Sequence, residues 1–77
     1  MNKKILVVED DVSFANILQG FLTKKQYVVE VAYSYKRAGE LWASFDFDMV
    51  ISDYRLPDGT GLEFMQFIRE KGARVPF

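Results

Sequence analysis

Asp48-Met49-Val50-Ile51-Ser52-Asp53-Tyr54-Arg55-Leu56-Pro57-Asp58-Gly59-Thr60-Gly61 joins a short apolar run to an aspartate and then to a loop of turn-forming residues. The run from Met49 to Ser52 is too short for a helix, and Pro57-Asp58-Gly59 is turn chemistry. The segment reads as a strand that delivers Asp53 to its carboxyl end.

Two further β-rich runs lie upstream, Ile5 to Val8 and Tyr27 to Val31, and successive starts are 22 residues apart. Each is followed by apolar residues at helical spacing. These are Phe14, Ile17, Leu18, Phe21 and Leu22, then Ala38, Leu41, Trp42 and Phe45, then Leu62, Phe64, Met65, Phe67 and Ile68. The stripes read as core packing. Asp11 or Ser13 can cap the first helix and Ser34 the second, Lys24-Lys25 suit a helix C-terminus, and Gly72 can end the third.

This βα rhythm implies a parallel sheet with right-handed crossovers. Strands are expected near 4–8, 27–31 and 48–52, and helices near 12–25, 35–45 and 61–71. The first and third runs are almost continuously apolar, as in strands covered on both faces, while Glu30 marks the second as an edge. Arg74-Val75-Pro76-Phe77 reads as a loop leading into a fourth strand. The expectation is one partial domain over residues 1–77, cut after its third βα unit.

Composition fits this reading. The chain has 77 residues, 49% hydrophobic and 27% charged, which is too apolar for a disordered tail and too interrupted by charge for a membrane span. It contains no cysteine and no histidine. Disulfides, thiolate zinc sites and Ser-His or Cys-His catalysis are therefore excluded within these residues. The net charge of −1 gives no electrostatic case for nucleic acid or an acidic membrane. The apolar run after Lys3-Lys4 ends at Glu9-Asp10-Asp11 and is too short for an export segment, so a cytoplasmic location is expected. Lys3-Lys4 and Lys36-Arg37 read as solvated charges.

In an open parallel sheet, ligands bind beyond the carboxyl ends of the strands, at the switch point. Glu9, Asp10 and Asp11 follow the first strand, and Asp53 follows the third. If those strands are neighbours, Glu9, Asp10 and Asp53 converge. Carboxylates about 5 Å apart repel by roughly 3 kcal/mol per pair at an effective dielectric of 20, so protons or a cation must offset them. Oxygen-only donors suit a hard divalent ion, Mg²⁺ above all. An aspartate beside Mg²⁺ can act as a nucleophile toward a phosphoryl group. Taken singly, Glu9-Asp10-Asp11 reads rather as capping and dipole compensation, and Asp53 rather as an ordinary turn residue. Their joint placement at two strand ends points to the metal.

Ile5-Leu6-Val7-Val8-Glu9-Asp10-Asp11, Asp48-Met49-Val50-Ile51-Ser52-Asp53 and Leu56-Pro57 with Gly61 together closely resemble the receiver domain of bacterial two-component response regulators. The resemblance implies a flavodoxin-like (CheY-like) doubly wound α/β fold with strand order 2-1-3-4-5, here truncated after the third βα unit. It implies that Asp53 accepts phosphate from a sensor histidine kinase or phosphotransfer protein. Glu9, Asp10, Asp53 and the Arg55 backbone carbonyl would hold Mg²⁺, while Asp11 fits the helix cap better. Such a module is a regulatory phosphoacceptor and not a turning-over enzyme; the complete domain would at most phosphorylate and dephosphorylate itself slowly. Its output domain, transcriptional in many similar proteins, would be the part that meets DNA. The Ser or Thr ending the family's fourth strand and the Lys ending its fifth have no counterpart in this sequence.

A second reading is a phosphorylation-incompetent fragment that acts through its open strand edge, as a homodimer or strand-swapped oligomer. A haloacid-dehalogenase-type phosphatase loop would need an aspartate where Leu56 stands. An EF-hand fails because Tyr54, Leu56 and Met65 would occupy ligand positions. Gly59-x-Gly61 lacks the third glycine of a dinucleotide fingerprint.

Overall fold

A computed structural model describes residues 2–52, 55–56 and 59–70. The elements are β1 (Lys4–Val8), α1 (Val12–Lys24), β2 (Val28–Ala32), α2 (Tyr35–Ser44), β3 (Met49–Ser52), β4 (Arg55–Leu56), β5 (Gly59–Thr60) and α3 (Gly61–Glu70). β2, β1 and β3 form a parallel sheet in the order β2-β1-β3, and β4 and β5 form a small antiparallel hairpin.

The sheet's two faces follow from the period-2 alternation of a strand. Ile5 and Val7 of β1 turn toward α1 and cluster with Leu22, Leu18, Val29, Val31 and Ile51. Leu6 and Val8 turn the other way, into a larger cluster with Ala38, Leu41, Phe47, Val50, Phe64 and Ile68. Thus α1 covers one face and α2 and α3 the other, as right-handed crossovers to opposite sides of β1 require. β1, central in this sheet, is buried from Ile5 to Val8, and β2 lies at one end of the sheet.

Local chemistry explains the element boundaries. The Asp11 carboxylate accepts the Phe14 N–H at 3.1 Å, and the Ser34 hydroxyl accepts the Arg37 N–H at 3.1 Å, so each caps its helix. Thr60 does the same for α3, accepting the Glu63 N–H at 3.1 Å. α1 closes with Gln26 N–H donating to Thr23 O at 2.9 Å and Tyr27 N–H to Leu22 O at 3.2 Å. Gln26 takes the left-handed conformation, φ 71°, that this closure demands. Because the Tyr27 N–H belongs to the helix end, β2 begins at Val28, one residue later than the apolar run suggests.

Two expectations need correction. The apolar stripe of α1 is only partly core: Ala15 and Leu22 are buried, but Phe14 is 52%, Ile17 69% and Phe21 57% exposed. Lys4 is not a plain solvated charge. Its ammonium lies 3.7 Å from the Phe45 ring centroid and 4.0 Å from Glu30, while its backbone N–H donates to the Asp48 carboxylate at 2.8 Å. Among the described residues, no helix is long and apolar enough to cross a membrane.

Candidate functional site

The site is built where β1 and β3 end together. Their register pairs Val7 with Ile51 and Val8 with Ser52, so both strands finish at the same edge of the sheet. β2 lies on one side of β1 and β3 on the other. The connections therefore diverge between β1 and β3, and such a divergence leaves a crevice at the strands' carboxyl ends.

Glu9 is the first residue past β1 and only 8% exposed. Its backbone N–H donates to Ala32 O at 2.9 Å, which extends the β1–β2 ladder and fixes the residue at the sheet's end. Its Oε2 accepts the Asp11 N–H at 3.1 Å. Asp10 beside it is exposed. Asp11 caps α1, as its position before the helix suggests. Of the three carboxylates, Glu9 is thus buried at the end of β1, Asp10 is exposed beside it, and Asp11 is committed to a helix.

On the opposite strand, Ser52 ends β3 half-buried. Asp53, the next residue in the chain, lies outside the described residues. Among those that are described, no three acidic, histidine or cysteine side chains group to hold a metal. The candidate set needs Asp53 as its third carboxylate. The donors that are described fit a hard cation: two adjacent carboxylates, one of them buried at the strand end, with no sulfur or imidazole among them.

Arg55 opens the hairpin that follows, paired with Thr60, while Leu56 pairs with Gly59. Thr60 also caps α3, so the loop after β3 is tied directly to a helix start. Sequence reasoning treats this stretch as a plain loop and misses the hairpin. Its strands are two residues each, too short for any alternation to register. The Thr60 cap had a readable signal, since Thr60-Gly61-Leu62-Glu63 is a capping-box pattern.

A family model described as "Response regulator receiver domain" matches residues 5–77. The response regulator protein PilR of Pseudomonas aeruginosa is 34% identical over 74 residues, covering 96% of this chain and 17% of PilR. The non-phosphorylated HemR receiver domain from Leptospira biflexa superposes with a TM-score of 0.92 at 37% identity, covering 99% of this chain and 61% of that one. The response regulator TrrA from Thermotoga maritima, solved in complex with Mg²⁺-BeF, has a TM-score of 0.85 at 33% identity, covering 90% of this chain and 60% of that one. The chain thus spans less than two thirds of the length of each. The β2-β1-β3 order, the helices on both faces and the family match agree, and the chain belongs to the response regulator receiver domain family of two-component signalling.

Proposed function

We propose that this chain is the N-terminal part of a receiver in which Asp53 accepts a phosphoryl group from a sensor histidine kinase or phosphotransfer protein. The observation that carries the reading is the register of β1 and β3, with Val8 opposite Ser52 and the buried Glu9 next in line. Asp53 follows Ser52 in the chain, and the reading has it act together with the acidic pair that follows β1.

Glu9, Asp10, Asp53 and the Arg55 carbonyl would hold Mg²⁺; that a similar protein, TrrA, was solved in complex with Mg²⁺-BeF supports the choice of ion. The ion supplies neutralisation of the phosphoryl charge that the carboxylates would otherwise repel. An Asp53 carboxylate oxygen attacks phosphorus, forming an acyl phosphate, while the bond from phosphorus to the donor's imidazole nitrogen breaks and its electron pair stays with that nitrogen. The role of Glu9 and Asp10 is electrostatic and positional. Phosphorylation would then act on an output domain outside these residues, and any DNA contact would reside there.

The test is incubation with acetyl phosphate and Mg²⁺ followed by intact-mass measurement. The expected result is one added phosphoryl group, lost in Asp53→Asn and on chelation. No addition, or addition that survives Asp53→Asn, overturns the reading.

Self-association is a second reading, and β3 carries it. Among the described residues, β3 pairs with β1 alone and Met49 is 38% exposed. It borders an apolar groove of about 360 Å³ that Ile5, Leu22 and Tyr27 also line. Light scattering across a concentration series distinguishes a monomer from a dimer joined at this edge.

A further inference from the structure

We propose that Tyr35 is a positioning residue for the β4–β5 hairpin and its Arg55 carbonyl, acting through Gly59; the inference rests on the receiver reading above. Tyr35 is the first residue of α2, directly after the Ser34 cap, and its ring reaches across to the β4–β5 hairpin. A Cβ built at Gly59 would lie 2.6 Å from Cδ2, 3.0 Å from Cγ and 3.2 Å from Cβ of Tyr35. Two of those atoms are the root of the side chain, so the ring cannot swing clear by a small adjustment. Position 59 is small because position 35 is large.

The same ring meets Phe64 of α3 edge-on, with centroids 6.0 Å apart and planes at 83°. Phe64 is fully buried and immobilised in turn by Trp42 and Phe67. Tyr35 is therefore wedged between a rigid core aromatic and the backbone of the hairpin. Behind that backbone, Gly59 pairs with Leu56 and Thr60 with Arg55, whose carbonyl is the proposed metal ligand. Contact at Gly59 is one residue pair away from that carbonyl. Partners that hydrogen-bond a metal ligand typically change metal affinity by about 10–100-fold when removed, and a support one residue pair further out belongs at the low end of that range.

The test measures Mg²⁺ affinity by titration calorimetry, together with thermal midpoints without Mg²⁺, in wild type, Tyr35→Phe, Tyr35→Ala, Gly59→Ala and the Tyr35→Ala/Gly59→Ala double variant. Tyr35→Phe keeps the ring and is expected to bind as wild type does. Tyr35→Ala and Gly59→Ala are each expected to weaken Mg²⁺ binding about tenfold. The double variant is expected to match Tyr35→Ala alone, because the clash at position 59 has lost its partner. Hydrogen exchange at residues 59–60 is expected to quicken in both single alanine variants. Equal Mg²⁺ affinity in wild type and Tyr35→Ala overturns the positioning role and leaves the receiver reading intact. So does an affinity loss explained by a melted fold, read from the midpoints. A wild type that binds no Mg²⁺ overturns both.

Discussion

At the scale of single residues, Gln26 is the one non-glycine residue with a positive φ among those described. A left-handed conformation costs an L-residue roughly 1–2 kcal/mol, and a glycine avoids that at some cost in unfolded-state entropy. Gln26 sits there because α1 closes with the Thr23 and Leu22 carbonyls both satisfied. Gln26→Gly is expected to stabilise the protein by about 0.5–1 kcal/mol, read as a higher urea midpoint at unchanged slope. Nothing at this position announces the conformation in the sequence, since Gln is an ordinary helix residue. The caps were legible for the opposite reason. Asp11 and Ser34 each stand directly before an apolar-periodic run, and each accepts the N–H three residues on.

At the scale of elements, burial decides which aromatic side chains matter. Phe64 on α3 is fully buried and touches three other rings, whereas Phe14 on α1 is 52% exposed. Phe64→Ala is expected to cost about 3–5 kcal/mol. Phe14→Ser is expected to stay within about 0.5 kcal/mol, in the range of ordinary surface changes. Chemical denaturation of the two variants side by side checks the contrast. Ser34→Ala, which removes the α2 cap, falls between them at about 1 kcal/mol. Periodicity in α1 reveals an apolar stripe but not the width of what covers it, so the exposed flank at Phe14, Ile17 and Phe21 was not legible. The parallel βα sheet was legible in the 22-residue rhythm of short apolar strands, whereas the order of its three strands was legible only through the resemblance to receiver domains. Of the candidate site, the sequence placed Glu9 and Asp10 at a strand end and Asp11 at a cap. It could not show Glu9 buried, nor Tyr35 against Gly59, since both depend on contacts between distant segments.

At the scale of the whole molecule, stability and ligand binding become one measurement. By the usual per-residue range, a chain this long is stable by only about 4–12 kcal/mol, so a modest binding energy is visible in its melting. A ligand that binds only the folded state stabilises it by about 1.4 kcal/mol at ten times its dissociation constant. Mg²⁺ is therefore expected to raise the thermal midpoint, and chelation to reverse the rise. Glu9→Gln separates this effect from simple damage to the fold. The glutamine carbonyl can still accept the Asp11 N–H that Glu9 Oε2 accepts now, and the substitution removes a negative charge beside Asp10. Without Mg²⁺, the variant should melt at the wild-type temperature or above it. With Mg²⁺, it should gain little while the wild type gains its full increment, so the order of the two proteins narrows or inverts. A variant that melts lower without Mg²⁺ yet gains the same Mg²⁺ increment as the wild type would show that Glu9 serves the fold alone; the predicted dependence on Mg²⁺ is what a carboxylate buried for a cation must display.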